Sequence, residues 1–329
     1  MLSLSTPFYT KIPLWAIFYP FTVAHFILQS IVYYFLTQDS ITQHLQSIAE
    51  QSVSTYPSIN TSDLENLKLK LPPLKEQKAI AATLSCLDNK IELNNRMNKI
   101  LEEMAQIIFK SWFVDFEPFQ NGEFVDSELG RIPKGWKVAE LGNAAKISRE
   151  SINPLKFSDI LFEHYSIPAY DESEFPVFEK GSQIKSNKYV LNKDSFIISK
   201  LNPRIKRIWR PYCITNHAIC STEFIVYNAI KKQQNVFYYS VIDSPLFMDF
   251  LLAHTTGSTG SRQRVSPDDT LKYKIVLPPD YVIDNFCKTV SPFYKTMAKN
   301  ILEIQKLQKI RNLLLPKLMS GEIKVPVEK

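Results

Sequence analysis

The sequence predicts an α+β protein, in which a mixed α/β domain is combined with two long helices that pack on each other as a coiled coil. Two observations lead to this prediction. Residues 74–117 contain neither Gly nor Pro and carry seam residues at alternating spacings of four and three. The same pattern returns near the carboxyl end of the chain, after a long stretch that is richer in strand-like runs and turns.

The first long helix is predicted over residues 72–117, beginning at the Pro72-Pro73 pair. At 1.5 Å per residue, about 37 helical residues reach roughly 55 Å, which is longer than a small domain is wide. An ordinary amphipathic helix would give a similar local pattern, but the length and the later repetition favour a pairing helix. Its predicted seam consists of Ile80, Leu84, Leu87, Ile91, Asn94, Leu101 and Ile108.

An internal repeat predicts the second long helix. Leu71-Pro72-Pro73 recurs as Leu277-Pro278-Pro279, an offset of 206 residues (278 − 72). Before each Pro-Pro pair, a helix-capping signal is followed by a strand-like run. When 206 is added to the residue numbers of the first seam, the spacing of the second seam is reproduced without adjustment, and Asn94 corresponds to Asn300. The second seam is Phe286, Val290, Phe293, Met297, Asn300, Ile304, Leu307 and Leu314. The chain is therefore predicted to be internally duplicated.

Length, charge and cysteine content describe a globular protein of moderate basicity. A chain of 329 residues can form two or more domains. The formal net charge of +6 permits binding to nucleic acid without requiring it. The four cysteines are scattered and form no Cys-x-x-Cys pair, which predicts reduced thiols and a cytoplasmic protein.

The N-terminal region allows two interpretations. Residues 12–36 are apolar enough to suggest a membrane span, but two prolines, a histidine and a glutamine interrupt them. A buried helix over residues 23–36 is favoured, and no membrane partner is predicted. Because the second Pro-Pro pair follows a whole predicted domain and the first follows only 71 residues, residues 1–71 are interpreted as the C-terminal remnant of a first domain.

Residues 135–276 are predicted to form the mixed α/β domain. A loop-like linker, residues 118–134, connects the first long helix to this domain, and a second long helix over residues 277–323 follows it, with 324–329 as a tail. Strand-like runs are predicted at 136–141, 196–199, 208–209 and 222–227, and one helix at 235–252. The sequence leaves open whether Trp112 and Phe113 pack on this domain or on a partner.

Two segments of this domain carry side chains suited to a nucleic acid. Residues 199–210 contain five basic side chains and no acid, for which a solvated basic loop is the alternative interpretation. In residues 255–264, glycines and small hydroxyl residues let the backbone approach closely, and basic and amide side chains follow them. Arginine matches phosphate and guanine, and an asparagine amide matches adenine. The predicted DNA-binding residues are Lys200, Asn202, Arg204, Lys206, Arg207, Arg210, Ser258, Thr259, Ser261, Arg262, Gln263 and Arg264.

No catalytic site, metal or cofactor is predicted. Residues 267–272 resemble a nuclease carboxylate–lysine motif, but their match to the capping signal at 60–63 favours helix capping. Cys213, His217 and Cys220 could supply three zinc ligands, yet no fourth ligand is apparent. The sequence therefore predicts a protein that is not itself an enzyme.

Six segments together are characteristic of one protein family. They are LPPLKEQKAIAATLSCLDNKIELNNRMNKILEEMAQIIFKSWFVDFEPF at 71–119, IPKGW at 132–136, SKLNPRIKRIW at 199–209, ICSTEF at 219–224, TGSTGSRQRVSPDD at 256–269 and LLPKLMSGEI at 314–323. In these segments, the chain resembles the DNA-specificity subunit of Type I restriction–modification enzymes. The resemblance covers about residues 23–323.

The resemblance implies two target-recognition domains, each reading half of a split site in double-stranded DNA, separated by an antiparallel coiled coil of the long helices. It also implies methyltransferase (modification) subunits docked on these helices and motor–nuclease (restriction) subunits in the same complex. Residues 135–276 would be the second recognition domain, and residues 1–71 only the tail of the first. Two alternatives remain: a coiled-coil scaffold that binds partners without selecting DNA, and a homodimer whose two chains each supply one recognition domain.

Overall fold

The computed structural model describes residues 9–11, 23–51, 57–257 and 263–326, with side chains from residue 27 onward. The chain divides into two compact units. Unit 1 contains residues up to Asn98 together with those from Lys299 onward, and unit 2 contains Lys99–Ala298. Each of the two long helices contributes one part to unit 1 and the other part to unit 2.

The elements follow the order expected for a helical unit and a mixed unit. The helices are α1 (Val23–Leu36), α2 (Asp39–Glu50), α3 (Thr61–Glu65), α4 (Leu74–Phe113), α5 (Ile167–Ser173), α6 (Asn235–Asp243), α7 (Pro245–Ala253), α8 (Pro267–Thr270) and α9 (Asp280–Ser320). The strands are β1 (Tyr9–Lys11), β2 (Lys68–Lys70), β3 (Phe124–Ser127), β4 (Gly130–Pro133), β5 (Lys137–Glu140), β6 (Ala145–Ser148), β7 (Ser151–Ile152), β8 (Leu161–Tyr165), β9 (Val177–Lys180), β10 (Lys188–Val190), β11 (Ser195–Ser199), β12 (Ile208–Trp209), β13 (Ala218–Ser221), β14 (Phe224–Ala229), β15 (Thr255–Thr256), β16 (Arg264–Val265) and β17 (Lys274–Leu277).

The internal repeat is visible in the starting residues of these elements. Helices α7, α8 and α9 and strand β17 each begin 206 residues after α2, α3, α4 and β2, respectively. Both long helices begin just after a Pro-Pro pair, because proline presets a helical φ angle and the first helical residues need no internal hydrogen-bond donor. In the first copy, the backbone N–H of Asn60 donates to the Asp63 carboxylate at 2.8 Å, which is half of a capping box.

Unit 1 has a core of its own between the faces of α1, β2, α4 and α9. Its fully buried side chains include Ile31 from α1 and Leu84 from α4. The core residues are Ile31, Val32, Tyr34, Phe35, Leu67, Leu69, Ile80, Ala81, Leu84, Leu315, Leu318 and Met319. In the described part of the chain before Leu74, no counterpart of the larger sheets of unit 2 is present.

The long helices pair in an antiparallel sense. Within unit 1, Arg311 donates to the Asp88 carboxylate at 2.8 Å, and Asn300 donates to the side-chain oxygen of Asn98 at 2.8 Å. As the residue number rises along α4, the number of its partner in α9 falls. The α+β class and the antiparallel helix pair expected from the sequence are confirmed. All seam residues predicted for both helices are buried or half-buried.

A polar layer interrupts the apolar seam of unit 1. Asn94 is fully buried and donates through Nδ2 to the Glu303 carboxylate at 2.8 Å. Among the described residues, its Oδ1 atom has no hydrogen-bond partner. A buried amide at a seam position favours one register of two helices, because a shifted register would leave it unpaired in an apolar layer, at a cost in stability.

Unit 2 is built on two sheets that pack face to face. The four-stranded sheet has the order β12-β11-β14-β6 and is antiparallel throughout. The five-stranded sheet has the order β7-β10-β13-β8-β9 and is mixed, because β13 and β8 run parallel. Two-stranded ladders join β17 to β5, β3 to β4 and β15 to β16.

Strand periodicity explains how one strand serves two cores. Phe196 and Ile198 of β11 lie in the core shared with the helices, whereas Ile197 lies with Tyr165 and Cys220 of the five-stranded sheet. Alternate side chains of a strand point to opposite faces of its sheet, so a central strand covered on both sides is apolar at every position. The buried run Ser195–Ser199 follows this rule.

The carboxyl end of α4 enters the core of unit 2. Phe113 is buried, and its ring centroid lies 4.8 Å from that of Phe237 and 5.0 Å from that of Phe286. Trp112 lies beside the same cluster, 6.1 Å from Phe286. Phe113 thus packs on the mixed domain through Phe237, whereas the Trp112 ring contacts Phe119 and Phe286, which flank that domain in the sequence.

One predicted helix is two helices. The helix expected over residues 235–252 is broken at Ser244, and α6 and α7 meet at an angle of 60°. Pro245 lacks the N–H that a continuous helix would use, and the Ser244 hydroxyl accepts a hydrogen bond from the backbone N–H of Phe247 at 3.3 Å. The prediction of a continuous helix was wrong because this capping signal was overlooked.

The segment expected to be a loop-like linker is also ordered differently. Within residues 118–134, β3 and β4 form an antiparallel hairpin whose register pairs Ser127 with Gly130. Gly130 has a φ angle of 95°, a backbone conformation that favours glycine. Ile132 of β4 is buried in the core of unit 2, so this segment belongs to that unit.

In the described ranges, no single helix combines the length and the apolar character needed to cross a membrane. Helices α6 and α7, which are bent by 60° relative to each other, reach this length and apolar character only when they are taken together. Residues 12–22 of the apolar N-terminal run lie outside the described residues.

His164 gives unit 2 a predicted pH dependence. Its Nδ1 lies 2.7 Å from the Glu179 carboxylate, and Nε2 is buried without a partner among the described residues. Burial lowers the pKa of His164, and the contact with Glu179 opposes this only in part. As pH falls, the unfolded chain therefore binds a proton at this histidine before the folded chain does. The stability that the neutral His164 contributes above about pH 6.5 is lost as the pH falls below that value.

Thermal unfolding should detect this loss as a fall in Tm between about pH 7 and pH 5. His164→Gln retains a polar side chain at this position but cannot titrate in this range, so its Tm should fall less over the same interval. Equal slopes for the two proteins would show that His164 does not contribute.

Candidate nucleic-acid interface

The two segments that the sequence nominated as DNA-binding lie side by side. The backbone N–H of Asn202 donates to the carbonyl oxygen of Gln263 at 2.8 Å. The N–H of Val265 donates to the carbonyl oxygen of Lys200 at 3.1 Å, and a β-bridge joins Leu201 to Arg264. Main-chain hydrogen bonds thus combine the basic loop, residues 199–210, and the β15–β16 hairpin into one surface, which we call the basic surface.

Local chemistry fixes the start of the basic loop. The backbone N–H of Leu201 donates to the Ser199 hydroxyl at 3.2 Å, and the N–H of Ile205 donates to the carbonyl oxygen of Asn202 at 3.0 Å. Asn202 has a φ angle of 48°, in the left-handed region that asparagine tolerates better than most residues. This turn places Arg204 at an exposed position directly after it.

The hairpin has a short described base and a tip outside the described residues. Thr255 pairs with Val265 and Thr256 pairs with Arg264, and the Thr256 hydroxyl donates to the carbonyl oxygen of Arg264 at 3.2 Å. Four of the predicted DNA-binding residues lie beyond this base and outside the described ranges, so they stay predictions. They are Ser258, Thr259, Ser261 and Arg262.

The exposed cations of the basic surface are in different electrostatic settings. Arg204 is exposed and forms no ion pair with any residue in the described ranges. Arg264 is held by Glu223, with Nε 3.0 Å and Nη2 3.2 Å from the two carboxylate oxygens. Lys200 is half-buried, and its main chain bridges Glu223 and Val265.

Three other predicted DNA-binding residues, Lys206, Arg207 and Arg210, contact side chains of unit 2. Arg207 is buried and donates to both oxygens of Asp171 at 2.6 and 2.7 Å, which holds the pKa of that carboxyl below its ordinary value. Lys206 forms an ion pair of 2.5 Å with the buried Asp243. A bidentate arginine–carboxylate pair is among the strongest polar contacts in proteins. These side chains anchor the basic loop to α5 and α6.

Arg210 also faces the interior. Its guanidinium lies 4.7 Å from the ring centroid of Tyr294 and 5.5 Å from that of Tyr239, a cation–π arrangement. Burial lowers the pKa of Arg210. Because the guanidinium groups of Arg207 and Arg210 are engaged by Asp171 and by two tyrosine rings, both residues hold the basic loop in place, and their contact with DNA stays a prediction.

An acidic residue that the sequence did not nominate as DNA-binding also belongs to this surface. Glu223 lies in the turn between β13 and β14, and its carbonyl oxygen accepts a hydrogen bond from the N–H of Lys200 at 2.9 Å. Arg149 lies after β6 and donates to Asp268 of α8 at 2.5 Å. Glu223 lies in the segment 219–224 and Asp268 in the capping signal at 267–272, but no signal in the sequence pairs them with Arg264 and Arg149, which are 41 and 119 positions away.

The possible zinc ligands do not form a metal centre. Across the described residues, no group of three His, Cys, Asp or Glu side chains is arranged to hold an ion. Cys213 and Cys220 are both buried, and burial raises the pKa of Cys213 to about 12 and that of Cys220 as well. Zinc binds the thiolate, so these sites favour the form that does not bind.

Comparison with known proteins places the chain in a family. It is 30% identical over 318 residues to the Type I restriction enzyme MjaIX specificity subunit of Methanocaldococcus jannaschii, covering 91% of this chain and 70% of that protein. It is 24% identical over 368 residues to the HindI specificity subunit of Haemophilus influenzae, covering 91% and 78%. A family model for the Type I restriction modification DNA specificity domain matches residues 18–103.

The chain belongs to the family of Type I restriction–modification specificity subunits, as the resemblance in its sequence indicated. The fold agrees with a solved member. The crystal structure of a Type I restriction–modification S subunit from M. genitalium aligns with a TM-score of 0.53 at 17% identity, covering 88% of this chain and 72% of that one.

Proposed function

We propose that this chain reads one half of a bipartite site in double-stranded DNA and docks methyltransferase subunits on its long helices. In this proposal it supplies recognition and no catalysis, it works in the cytoplasm, and the motor–nuclease subunits join the same complex. The relatives that cover most of the chain are named specificity subunits. We assign DNA recognition to unit 2, whose basic surface contacts the DNA.

The observation that carries the DNA-binding proposal is the union of the basic loop and the β15–β16 hairpin. Segments around Asn202 and Gln263 are joined by main-chain hydrogen bonds, and their exposed cations include Arg204 and Arg264. Lysine and arginine on one surface provide phosphate contacts, and arginine and amide side chains can read base edges. A loop fixed through its backbone loses less conformational entropy when DNA binds.

The docking proposal rests on an exposed apolar stripe of α4. Within unit 2, Ile100, Met104 and Ile107 follow a spacing of four and three residues and have exposed fractions of 55, 42 and 65%. The same spacing extends backward along the helix to Met97 and Leu93, which are also exposed. Residues so spaced share one helical face, and such a face typically binds an apolar groove or another helix.

Arg204→Ala tests the role of the exposed cation. If Arg204 contacts a phosphate, the substitution should weaken binding to all duplexes alike and lower the slope of log K against log salt by about 0.9. Binding of the full-length chain to a pool of duplexes with a randomised central segment, followed at several salt concentrations, measures both. Lys180→Ala is the matched control, because it removes an exposed cation from a different part of unit 2. Lys180 lies on β9 and pairs with Leu161, at one end of β8. The opposite end of β8, at Tyr165, is the one that pairs with Cys220, close to the turn that carries Glu223.

The same binding experiment tests the proposed function as a whole. Enrichment of a specific half-site by the wild-type chain, together with capture of its methyltransferase subunit in a pull-down, is the expected result. Capture of the methyltransferase subunit without any enriched sequence would replace the proposal with the scaffold function.

A further inference from the structure

The geometry points to a specificity-determining role for an acid within the basic surface: we propose that Glu223 positions Arg264 for contact with a guanine. This inference rests on the proposed function, because it assumes that the basic surface contacts DNA. A carboxylate repels phosphates, so an acid at this point weakens general binding to DNA. Its presence is explained when it improves the selection of one base over others.

The contact between these two side chains is suited to positioning. Both oxygens of Glu223 engage Arg264, through Nε at 3.0 Å and Nη2 at 3.2 Å. Two parallel hydrogen bonds fix the plane and direction of a guanidinium, which a single contact does not. The exposed fraction is 46% for the Arg264 side chain and 29% for that of Glu223, so the arginine is ordered while still accessible to DNA.

Glu223 is itself held in place by neighbouring segments. Its backbone N–H donates to the Ser221 hydroxyl at 3.2 Å, and its carbonyl oxygen accepts the N–H of Lys200 at 2.9 Å. The residue therefore joins the β13–β14 turn, the basic loop and the β15–β16 hairpin. Its backbone is fixed on both sides by these two hydrogen bonds, which limits the positions from which its carboxylate can orient Arg264.

Guanine is the base that this arrangement favours. An arginine guanidinium matches the O6 and N7 acceptors of guanine in the major groove, and adenine presents a donor at the position of O6. An arginine that is already ordered gives up less rotamer entropy when it binds. An unrestrained arginine would instead find phosphates in many orientations, which adds affinity without selection.

Selection from randomised duplexes by the full-length chain, compared with Glu223→Gln, tests the inference. The glutamine variant should lose about tenfold in discrimination at a single guanine and should bind non-matching duplexes several-fold more tightly at low salt. Arg264→Ala should lose discrimination at the same position. The double variant should lose no more there than Arg264→Ala, because both substitutions remove one interaction.

Two further variants separate positioning from folding and from net charge. Arg264→Lys retains the charge but not the planar fork, so it should lose the guanine discrimination while the salt dependence stays close to that of wild type. Glu128→Gln removes an acid from an exposed ion pair with Lys274, neither of which belongs to the basic loop or the β15–β16 hairpin, and should leave the preferred sequence unchanged. Full retention of the preference by Glu223→Gln would overturn the inference. A wild-type chain without any sequence preference would instead contradict the proposed function.

Discussion

Replacing Phe286 with alanine should lower the free energy of unfolding of unit 2 by about 3–5 kcal/mol. Phe286 is fully buried, and its ring centroid lies 5.0 Å from that of Phe113 and within 6.2 Å of those of Phe109, Trp112 and Phe237. The substitution removes the ring from the point where α4 and α9 meet α6. Domains of this size are typically stable by 5–15 kcal/mol, so the loss is a large share of the total.

Urea unfolding followed by tryptophan fluorescence measures this effect, because Trp112, Trp136 and Trp209 all lie in unit 2. Tyr281→Ala is the matched control: it removes a ring from the same helix, but this side chain is 67% exposed. The control should change the unfolding free energy by less than about 1 kcal/mol. Equal effects of the two substitutions would mean that the aromatic cluster does not hold unit 2 together.

The paired helices could be predicted from the sequence because their signals are local or periodic. A heptad seam needs only the spacing of side chains along one helix, and the repeat brought the second seam into phase with the first. The Pro-Pro pairs mark both helix starts within a few residues. The two buried seam amides were visible as well, since Asn94 and Asn300 occupy equivalent positions of the repeat, but the sequence did not identify their hydrogen-bond partners, Glu303 and Asn98.

The composition of the basic surface could be predicted only in part. Charge density identified the basic loop, and the glycine- and hydroxyl-rich run identified the hairpin. Whether an arginine points outward, however, depends on its tertiary partner. Arg207 is paired with Asp171, which lies 36 positions away, and the guanidinium of Arg210 packs on two tyrosine rings from different helices. Such pairings are set by the packing of sheets and helices and leave no periodic trace in the sequence.

The contrast between Arg207 and Arg264 shows why burial, more than charge pairing, separates the two roles. Both form bidentate contacts with a carboxylate. The Arg207 side chain is 9% exposed, so its guanidinium offers little surface to DNA, although its partner Asp171 is 46% exposed. The Arg264 side chain is 46% exposed, where water screens the pair and a DNA base can compete for the guanidinium.

Introducing aspartate at both Ile100 and Ile107 should abolish docking of the methyltransferase subunit. These side chains are 55% and 65% exposed and lie about two helical turns apart, on the face that also carries Met104. A charge placed in an apolar contact loses its hydration without gaining a partner, at a cost of several kcal/mol. Because each 1.4 kcal/mol is tenfold in affinity, a loss on the order of a hundredfold or more is expected.

Isothermal titration of the variant chain with its methyltransferase subunit measures the loss of docking. Leu155→Asp is the control, because this side chain is also exposed, at 46%, but lies outside the long helices. The double variant should keep the wild-type Tm, since neither side chain is part of the core. Unchanged affinity at an unchanged Tm would remove α4 from the docking surface, and the exposed stripe would then need another partner. Undiminished DNA selection by the same variant would show that the stripe and the basic surface act through separate parts of unit 2.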